Sequence, residues 1–96
     1  MLLQRPAFRR DLALSDQMNR AALSVLFNIS EGFVRSRDRE TKQFLRYAMA
    51  SNGELKAGFY VAEGRAYLIT GEMAQLIERN EYIAKMLRRW HATLRG

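Results

Sequence analysis

The chain has 96 residues, enough for one domain, and its 16 Lys and Arg outnumber 10 Asp and Glu, which gives a net charge of +6. It contains no cysteine, so disulfides and thiolate metal sites are excluded and a reducing, cytoplasmic compartment is expected. Its apolar runs fall short of the roughly twenty residues that a membrane-spanning helix needs, so no membrane partner is expected.

The first predicted helix covers residues 15–34, with Ser15 as its cap. Apolar residues recur every three or four positions along it, which is the helical period: Leu14, Met18, Ala22, Val25, Ile29 and Phe33. Leu23, Leu26 and Phe27 lie off that stripe. A helix that is apolar on more than one face is either central in its bundle or shared with another subunit.

The second predicted helix covers residues 39–66, and either Ser36 or Asp38 is expected to cap it. Small residues on its apolar seam favour close approach of a neighbouring backbone. Gly53 and Gly58 each cost a helix about 1 kcal/mol relative to alanine, which weakens the case for an unbroken helix.

The third predicted helix covers residues 71–94 behind Thr70, its expected cap. Its seam alternates steps of four and three: Leu76, Asn80, Ile83, Leu87, Trp90 and Leu94. Asn80 either is buried and fixes the register of the packing or is rotated to the edge. Together the three helices predict an all-α single domain over residues 1–96.

Catalytic and metal motifs are lacking from the sequence. A di-iron helical bundle needs two Glu-x-x-His pairs, whereas the single histidine, His91, has an arginine three positions before it. There is no phosphate-binding glycine loop and no nucleophile elbow. We therefore expect no enzyme activity, no cofactor and no metal, and we interpret His91 as a surface residue at a basic helix end.

Two basic clusters are the candidate nucleic-acid-binding residues. The first comprises Arg35, Arg37, Arg39, Lys42 and Arg46, and the second comprises Lys85, Arg88 and Arg89, followed by Arg95. Guanidinium groups at helical spacing can meet successive phosphates. The alternative is that the C-terminal cluster is a solvated face whose charge favours a helix C-terminus through the helix dipole.

The segment Asn28-Ile29-Ser30-Glu31-Gly32-Phe33, followed by Arg35, resembles the Asn-Ile-Ala-Glu-Gly-Phe-Gly-Arg signature of the 23S rRNA intervening-sequence proteins, also called the four helix bundle protein family. The approach to it (Leu14, Gln17, Arg20, Ala21, Ser24) and the later Phe44-Leu45-Arg46-Tyr47-Ala48 are similar to that family too. The resemblance implies an antiparallel up-down bundle of the four-helix type that assembles as a homopentamer. In a related branch, the accessory proteins of diversity-generating retroelements, a basic barrel contacts nucleic acid and a reverse transcriptase.

The sequence departs from the family's pattern at its N-terminal side. The family has a long first helix before the position of Phe8, but only seven residues, Pro6 among them, precede Phe8 here. We therefore expect this first helix to be missing, through a late start codon, a trimmed chain or a natural three-helix form. An open apolar groove would follow, which self-association or a partner helix would close. Asn52 replaces a family leucine and is expected to weaken one apolar contact.

We interpret the signature residues as structural and oligomer-forming rather than ligand-binding: Arg20, Asn28, Glu31, Gly32 and Phe33. Glu31 is expected to pair with Arg35, Arg20 or Arg46. The function indicated is a non-catalytic homo-oligomer that contacts RNA or DNA. The alternative is a protein-interaction module with no nucleic-acid role, whose charge serves solubility.

Overall fold

The computed structural model describes residue 2 and residues 5–96, which form helices and short connections with no strand among them. The helices are α1 (Pro6–Arg10), α2 (Leu12–Phe33), α3 (Asp38–Gly64) and α4 (Thr70–Thr93). The prediction of an all-α chain with three long helices is thus confirmed. Residues 1, 3 and 4 of the predicted domain lie outside the described part.

The prediction that the first helix is missing is wrong, because the structure has four helices and the short α1 stands first. Pro6 is the first residue of α1. The N–H groups in the first turn of a helix have no acceptor within the helix, so the N–H that proline lacks is not needed there, and the fixed φ of proline suits a helix. Phe8 of α1 is fully buried, with its ring edge-on to Tyr67 at 5.9 Å. The short helix therefore delivers an aromatic side chain to the core.

Helix α2 begins at Leu12, three residues before the predicted start, because Asp11 caps it and Ser15 does not. The Asp11 carboxylate accepts the Leu14 N–H at 3.3 Å. It also accepts from Arg65 at 2.5 Å and from the Tyr67 hydroxyl at 2.9 Å. These partners lie more than fifty residues away in the chain, so the start of α2 is fixed by tertiary contacts.

The caps of α3 and α4 also differ from the prediction. Arg37 precedes α3 without a side-chain cap, and Asp38 is the first helical residue. At α4 the Glu72 carboxylate accepts the Ile69 N–H at 3.2 Å, and Thr70 is already helical. Carboxylates in the first turn of a helix accept hydrogen bonds from exposed amides and suit the positive end of the helix dipole. In these two helices, carboxylates therefore take the place of the hydroxyl caps that the sequence suggests.

Helix α3 runs unbroken through both of its interior glycines and ends in a tight turn at Ala66. Ala66 has a φ of 61°, in the left-handed region. The Tyr67 N–H donates to the Ala62 carbonyl and the Ala66 N–H to the Glu63 carbonyl, both at 2.9 Å. This is the Schellman arrangement, which normally has glycine at the left-handed position.

Helix α3 packs against both α2 and α4, and it shares two apolar clusters with them. The larger cluster lies at the α1 end, and its buried members are Phe8, Leu14, Met18, Phe59, Ala62, Leu68 and Met73. The smaller lies at the opposite end, and its buried members are Leu45, Ala48 and Leu87. The pairing of α3 with α4 brings the start of one beside the end of the other.

Asn52 and Asn80 lie buried between α3 and α4, where their amides exchange hydrogen bonds. Each Nδ2 donates at 3.0 Å to the partner's backbone carbonyl and also approaches the partner's side-chain oxygen. Asn80 is therefore inside the seam and not at its edge, which decides between the two alternatives. Asn52 does not merely weaken a contact, because it satisfies Asn80.

Candidate nucleic-acid interface

The two basic clusters meet at one end of the molecule because α3 starts there and α4 ends there. The Arg46 guanidinium lies 3.4 Å from the His91 Nε2 atom. The backbone N–H of Arg95 donates to the Asp38 carboxylate at 3.0 Å. Two clusters that are about forty residues apart in sequence thus form one basic end, defined here by the N-terminal part of α3, the preceding turn and the C-terminal part of α4.

Most of the candidate cations at the basic end have no carboxylate partner. Five ion pairs occur within residue 2 and residues 5–96, and they engage Arg5, Arg20, Arg35, Lys56 and Arg65. The unengaged candidates are Arg37, Arg39, Lys42, Arg46, Lys85, Arg88 and Arg89. All of these except the half-buried Lys42 are exposed. Their charges are therefore available to an external anion.

Arg35 has a different position from the other candidates. It pairs with Glu31, one turn before it on α2, and its guanidinium carbon lies 4.8 Å from the centre of the Phe44 ring. The ion pair holds Arg35 to the end of α2, and the cation–π contact holds it to the start of α3. Arg35 therefore contributes to the turn between these helices, and it already has a carboxylate partner.

His91 is half-buried beside α3 and is not a free surface residue. Burial, and then the positive charges of Lys42 and Arg46, hold the pKa of His91 below its ordinary value of 6.5. The surroundings of His91 therefore favour the neutral form of its imidazole. The sequence interpretation missed this site because His91 and its two neighbours lie on different helices.

The family-like signature on α2 is divided among several contacts instead of forming one pocket. Asn28 donates to the Ser24 carbonyl at 2.8 Å and approaches the Ser24 hydroxyl at 3.1 Å. That hydroxyl in turn lies 2.7 Å from the Ser51 hydroxyl on α3. Asn28 thereby orients the polar link between the two helices.

The rest of the signature extends from the α2–α3 contact to the surface. Gly32 is buried, and its carbonyl accepts the Thr41 hydroxyl at 3.0 Å. A methyl group at Gly32 would lie 3.4 Å from the Phe44 Cβ and 3.5 Å from the Thr41 carbonyl oxygen, which is ordinary van der Waals contact. Arg20 pairs with Asp16 on the surface at 3.2 Å, and Phe33 is 77% exposed with one edge against Trp90.

The outer face of α2 carries a run of exposed apolar side chains. Leu23, Leu26, Phe27 and Val34 lie at helical spacing on the side away from α3, with Leu26 and Phe27 58% and 60% exposed. Leu23, Leu26 and Phe27 are the off-stripe residues that the sequence assigns to a second neighbour, and Val34 follows them just beyond the end of α2. A contiguous apolar face of this kind is typical of a protein-interaction surface.

An apolar groove of about 400 Å³ opens between α2 and α4 at the α1 end. Its walls include Phe8, Met18, Ala22, Leu55, Phe59 and Leu76. Over the described range, no cluster of three His, Cys, Asp or Glu residues could hold a metal ion. None of the described helices is long and apolar enough to cross a membrane.

A model of the 23S rRNA-intervening sequence protein family matches residues 2–89 of the chain. The match covers most of the 96 residues and includes α1, α2 and α3. No curated protein and no solved structure matches the chain. The chain belongs to the family of 23S rRNA-intervening sequence proteins, which confirms the resemblance seen in the signature.

Proposed function

We propose that this chain is a non-catalytic, self-associating helical protein whose basic end contacts the phosphate backbone of RNA or DNA. The observation that supports it is the meeting of two basic clusters most of whose members, all but Arg35, form no ion pair within the described residues. Membership of a family named for sequences within 23S rRNA agrees with an RNA-related role. The resemblance to retroelement accessory proteins further suggests a protein partner such as a reverse transcriptase.

The charge at the basic end favours backbone contact over sequence reading. Phosphate contacts come mainly from Arg and Lys and carry no sequence information directly. Reading of single-stranded bases usually needs exposed aromatic rings as stacking platforms. Near the basic end, Trp90 and Phe44 are half-buried in packing contacts, whereas Phe33 and Tyr47 are 77% and 49% exposed, one on α2 and one on α3. The unpaired cations outnumber these two exposed rings, so we expect binding that depends mainly on charge.

The test is binding of structured RNA and of duplex DNA across a salt titration. One variant carries Arg37→Gln, Arg39→Gln and Arg88→Gln at the basic end. A matched control removes the same charge elsewhere, at the exposed Arg9, Arg10 and Arg79.

The expected result follows from counterion release. Each phosphate contact on duplex DNA contributes about 0.9 to the slope of log affinity against log salt. The slope for the basic-end variant should be shallower by the equivalent of roughly two to three phosphate contacts, whereas the slope for the control should not change. An equal decrease in slope in both variants would mean that phosphates contact the whole basic surface and do not prefer the basic end. An absence of binding at low salt would refute the nucleic-acid role.

Self-association, with the homopentamer that the resemblance implies, is proposed through the outer face of α2. A ring would repeat the basic end around its axis and so strengthen the potential that an anion meets. Sedimentation of the full chain at micromolar concentration should give a mass several times that of one chain. Phe27→Glu should reduce that mass, while Tyr82→Glu, at an exposed position on α4, should not. A wild-type monomer at this concentration would refute the proposal.

The second candidate function is a protein-interaction module without a nucleic-acid role. The exposed apolar face of α2 supports it, because a heterologous helix could cover Leu23, Leu26 and Phe27 as well as a second copy could. Salt distinguishes the two functions, since apolar association does not weaken steeply as salt rises. Binding of a partner protein that is insensitive to salt and lost in Phe27→Glu would favour this candidate.

A further inference from the structure

The basic end contains a compact group of three nitrogen-bearing side chains from two helices. Lys42 and Arg46 lie one turn apart on α3 and share a face of that helix. His91 of α4 faces them, with its Nε2 atom 3.4 Å from the Arg46 Nη1 atom. Lys42 and His91 are both half-buried, so the group sits in the crease between the helices.

The surroundings of this group are positive. On α4, Arg88 lies one turn before His91 on the same side of the helix, and Arg95 follows just beyond the end of α4. On α3, the nearest carboxylate along the face of Lys42 is Asp38, one turn earlier, and it already accepts the Arg95 N–H. Neither Lys42 nor Arg46 forms an ion pair within the described residues.

We propose that Lys42, Arg46 and His91 together bind one phosphate group, and that His91 takes up a proton when the phosphate binds. The proposal rests on the proposed function, of which it names one contact point. Lys42 and Arg46 supply fixed positive charge, and the His91 imidazole donates a hydrogen bond from Nε2 once it is protonated. The proton comes from solvent, and no covalent bond changes.

The coupling follows from the charges that face His91. In the free protein, burial and the two cations favour the neutral imidazole. A phosphate between these groups brings negative charge, which favours the imidazolium and raises the pKa of His91. Binding and protonation then help each other equally, because linkage between two ligands is reciprocal. Phosphate affinity at this site therefore rises as the pH falls, by at most tenfold per pH unit for one proton.

The test uses the fact that His91 is the only histidine in the chain. Its ring C–H resonances can be followed by NMR through a pH titration of the full-length wild-type protein. Three samples at equal ionic strength are compared: protein alone, protein with a single-stranded RNA oligonucleotide, and protein with inorganic phosphate. The midpoint of the His91 titration should rise by about one pH unit in a sample whose ligand occupies the site, which corresponds to a tenfold change in affinity.

The three samples show which source of phosphate occupies the site, and they test this inference separately from the proposed function. A rise with RNA alone identifies a phosphodiester as the ligand. A rise with inorganic phosphate alone supports the site for a small anion, and the nucleic-acid role then fails if RNA does not bind. RNA binding with a steep salt slope but an unmoved His91 midpoint would overturn this inference and leave the proposed function standing.

Two variants test the dependence of RNA affinity on pH, which would not change if His91 had only a structural role. His91→Gln should lose the gain in RNA affinity that the wild type shows between pH 8 and pH 5.5, because glutamine takes up no proton. Lys42→Gln should weaken RNA binding at both pH values. A pH dependence that survives in His91→Gln would overturn the proposal.

Discussion

Gly53 and Gly58 provide a matched pair of sites within α3. An added Cβ at Gly53 meets no atom within 4 Å, whereas at Gly58 it would lie 2.6 Å from the Cγ and 3.0 Å from the Sδ of Met18 on α2. Each glycine costs the helix about 1 kcal/mol relative to alanine. The backbone gain from Gly→Ala is therefore similar at the two sites, and the difference between the variants reports the contact with Met18.

The magnitudes follow from that contact. Gly53→Ala should raise the free energy of unfolding by up to about 1 kcal/mol, which for a domain of this size raises Tm by roughly 4–8 °C. Gly58→Ala gains the same helix term but must displace Met18, which is only 4% exposed. Overpacking costs about 1–3 kcal/mol, so this variant should be neutral or less stable by up to about 2 kcal/mol.

Urea unfolding followed by far-UV circular dichroism measures both variants. All samples are held at one protein concentration, because self-association shifts apparent stability. In a Met18→Ala background the atoms that the new methyl meets are gone, so Gly58→Ala should become stabilising there. Equal stabilisation by the two glycine substitutions in the wild-type background would refute the close approach of α2 and α3 at Gly58.

Three further predictions concern stability. Asn80→Leu leaves the buried Asn52 amide without a partner and should lower the free energy of unfolding by about 1–3 kcal/mol. The double variant Asn52→Leu with Asn80→Leu should recover most of that loss. Equal urea midpoints for the single and double variants would argue against the hydrogen bonds between the two amides. Ala66→Gly removes the left-handed strain and should raise the free energy of unfolding by roughly 1 kcal/mol in the same assay, and no gain would contradict the φ of Ala66. The hydrogen bond from Arg65, then that from Tyr67, lowers the pKa of Asp11 below its ordinary 3.8, so its contribution to stability is complete above that pH and is lost as the pH falls through the lower folded-state pKa. Asp11→Asn should therefore destabilise the protein at pH 7 and flatten the dependence of Tm on pH in acid, and an unchanged acid profile would exclude this role.

Helical periodicity predicted the three long helices because each buries one face against neighbours at a fixed spacing. Leu14, Met18 and Val25 are buried as the apolar stripe of α2 predicts, but Ala22 and Phe33 are exposed. The buried face is rotated slightly, so that Ala21 and Gly32 point inward in their place. A stripe on a helix that is apolar on more than one face does not specify which of its flanks meets α3.

The basic end and its His91 site could not be predicted in the same way. Their geometry depends on which residue of α3 lies opposite which residue of α4. The sequence offers Asn80 as a register residue, but it does not identify Asn52, expected there only to weaken an apolar contact, as the residue that Asn80 meets. Similarly, the cap of α2 depends on Arg65 and Tyr67, which only the folded chain brings to Asp11.

The division of the interior into two apolar clusters, with an amide pair between them, has a consequence for motion. Because each cluster has its own set of contacts, the two ends can open separately without global unfolding. The end that carries the positive charge is held by the smaller cluster, around Leu45 and Leu87, and its cations repel one another. Backbone amides in the last turns of α4 should therefore exchange with deuterium sooner than those near Met73, and an anion that neutralises this end should slow that exchange.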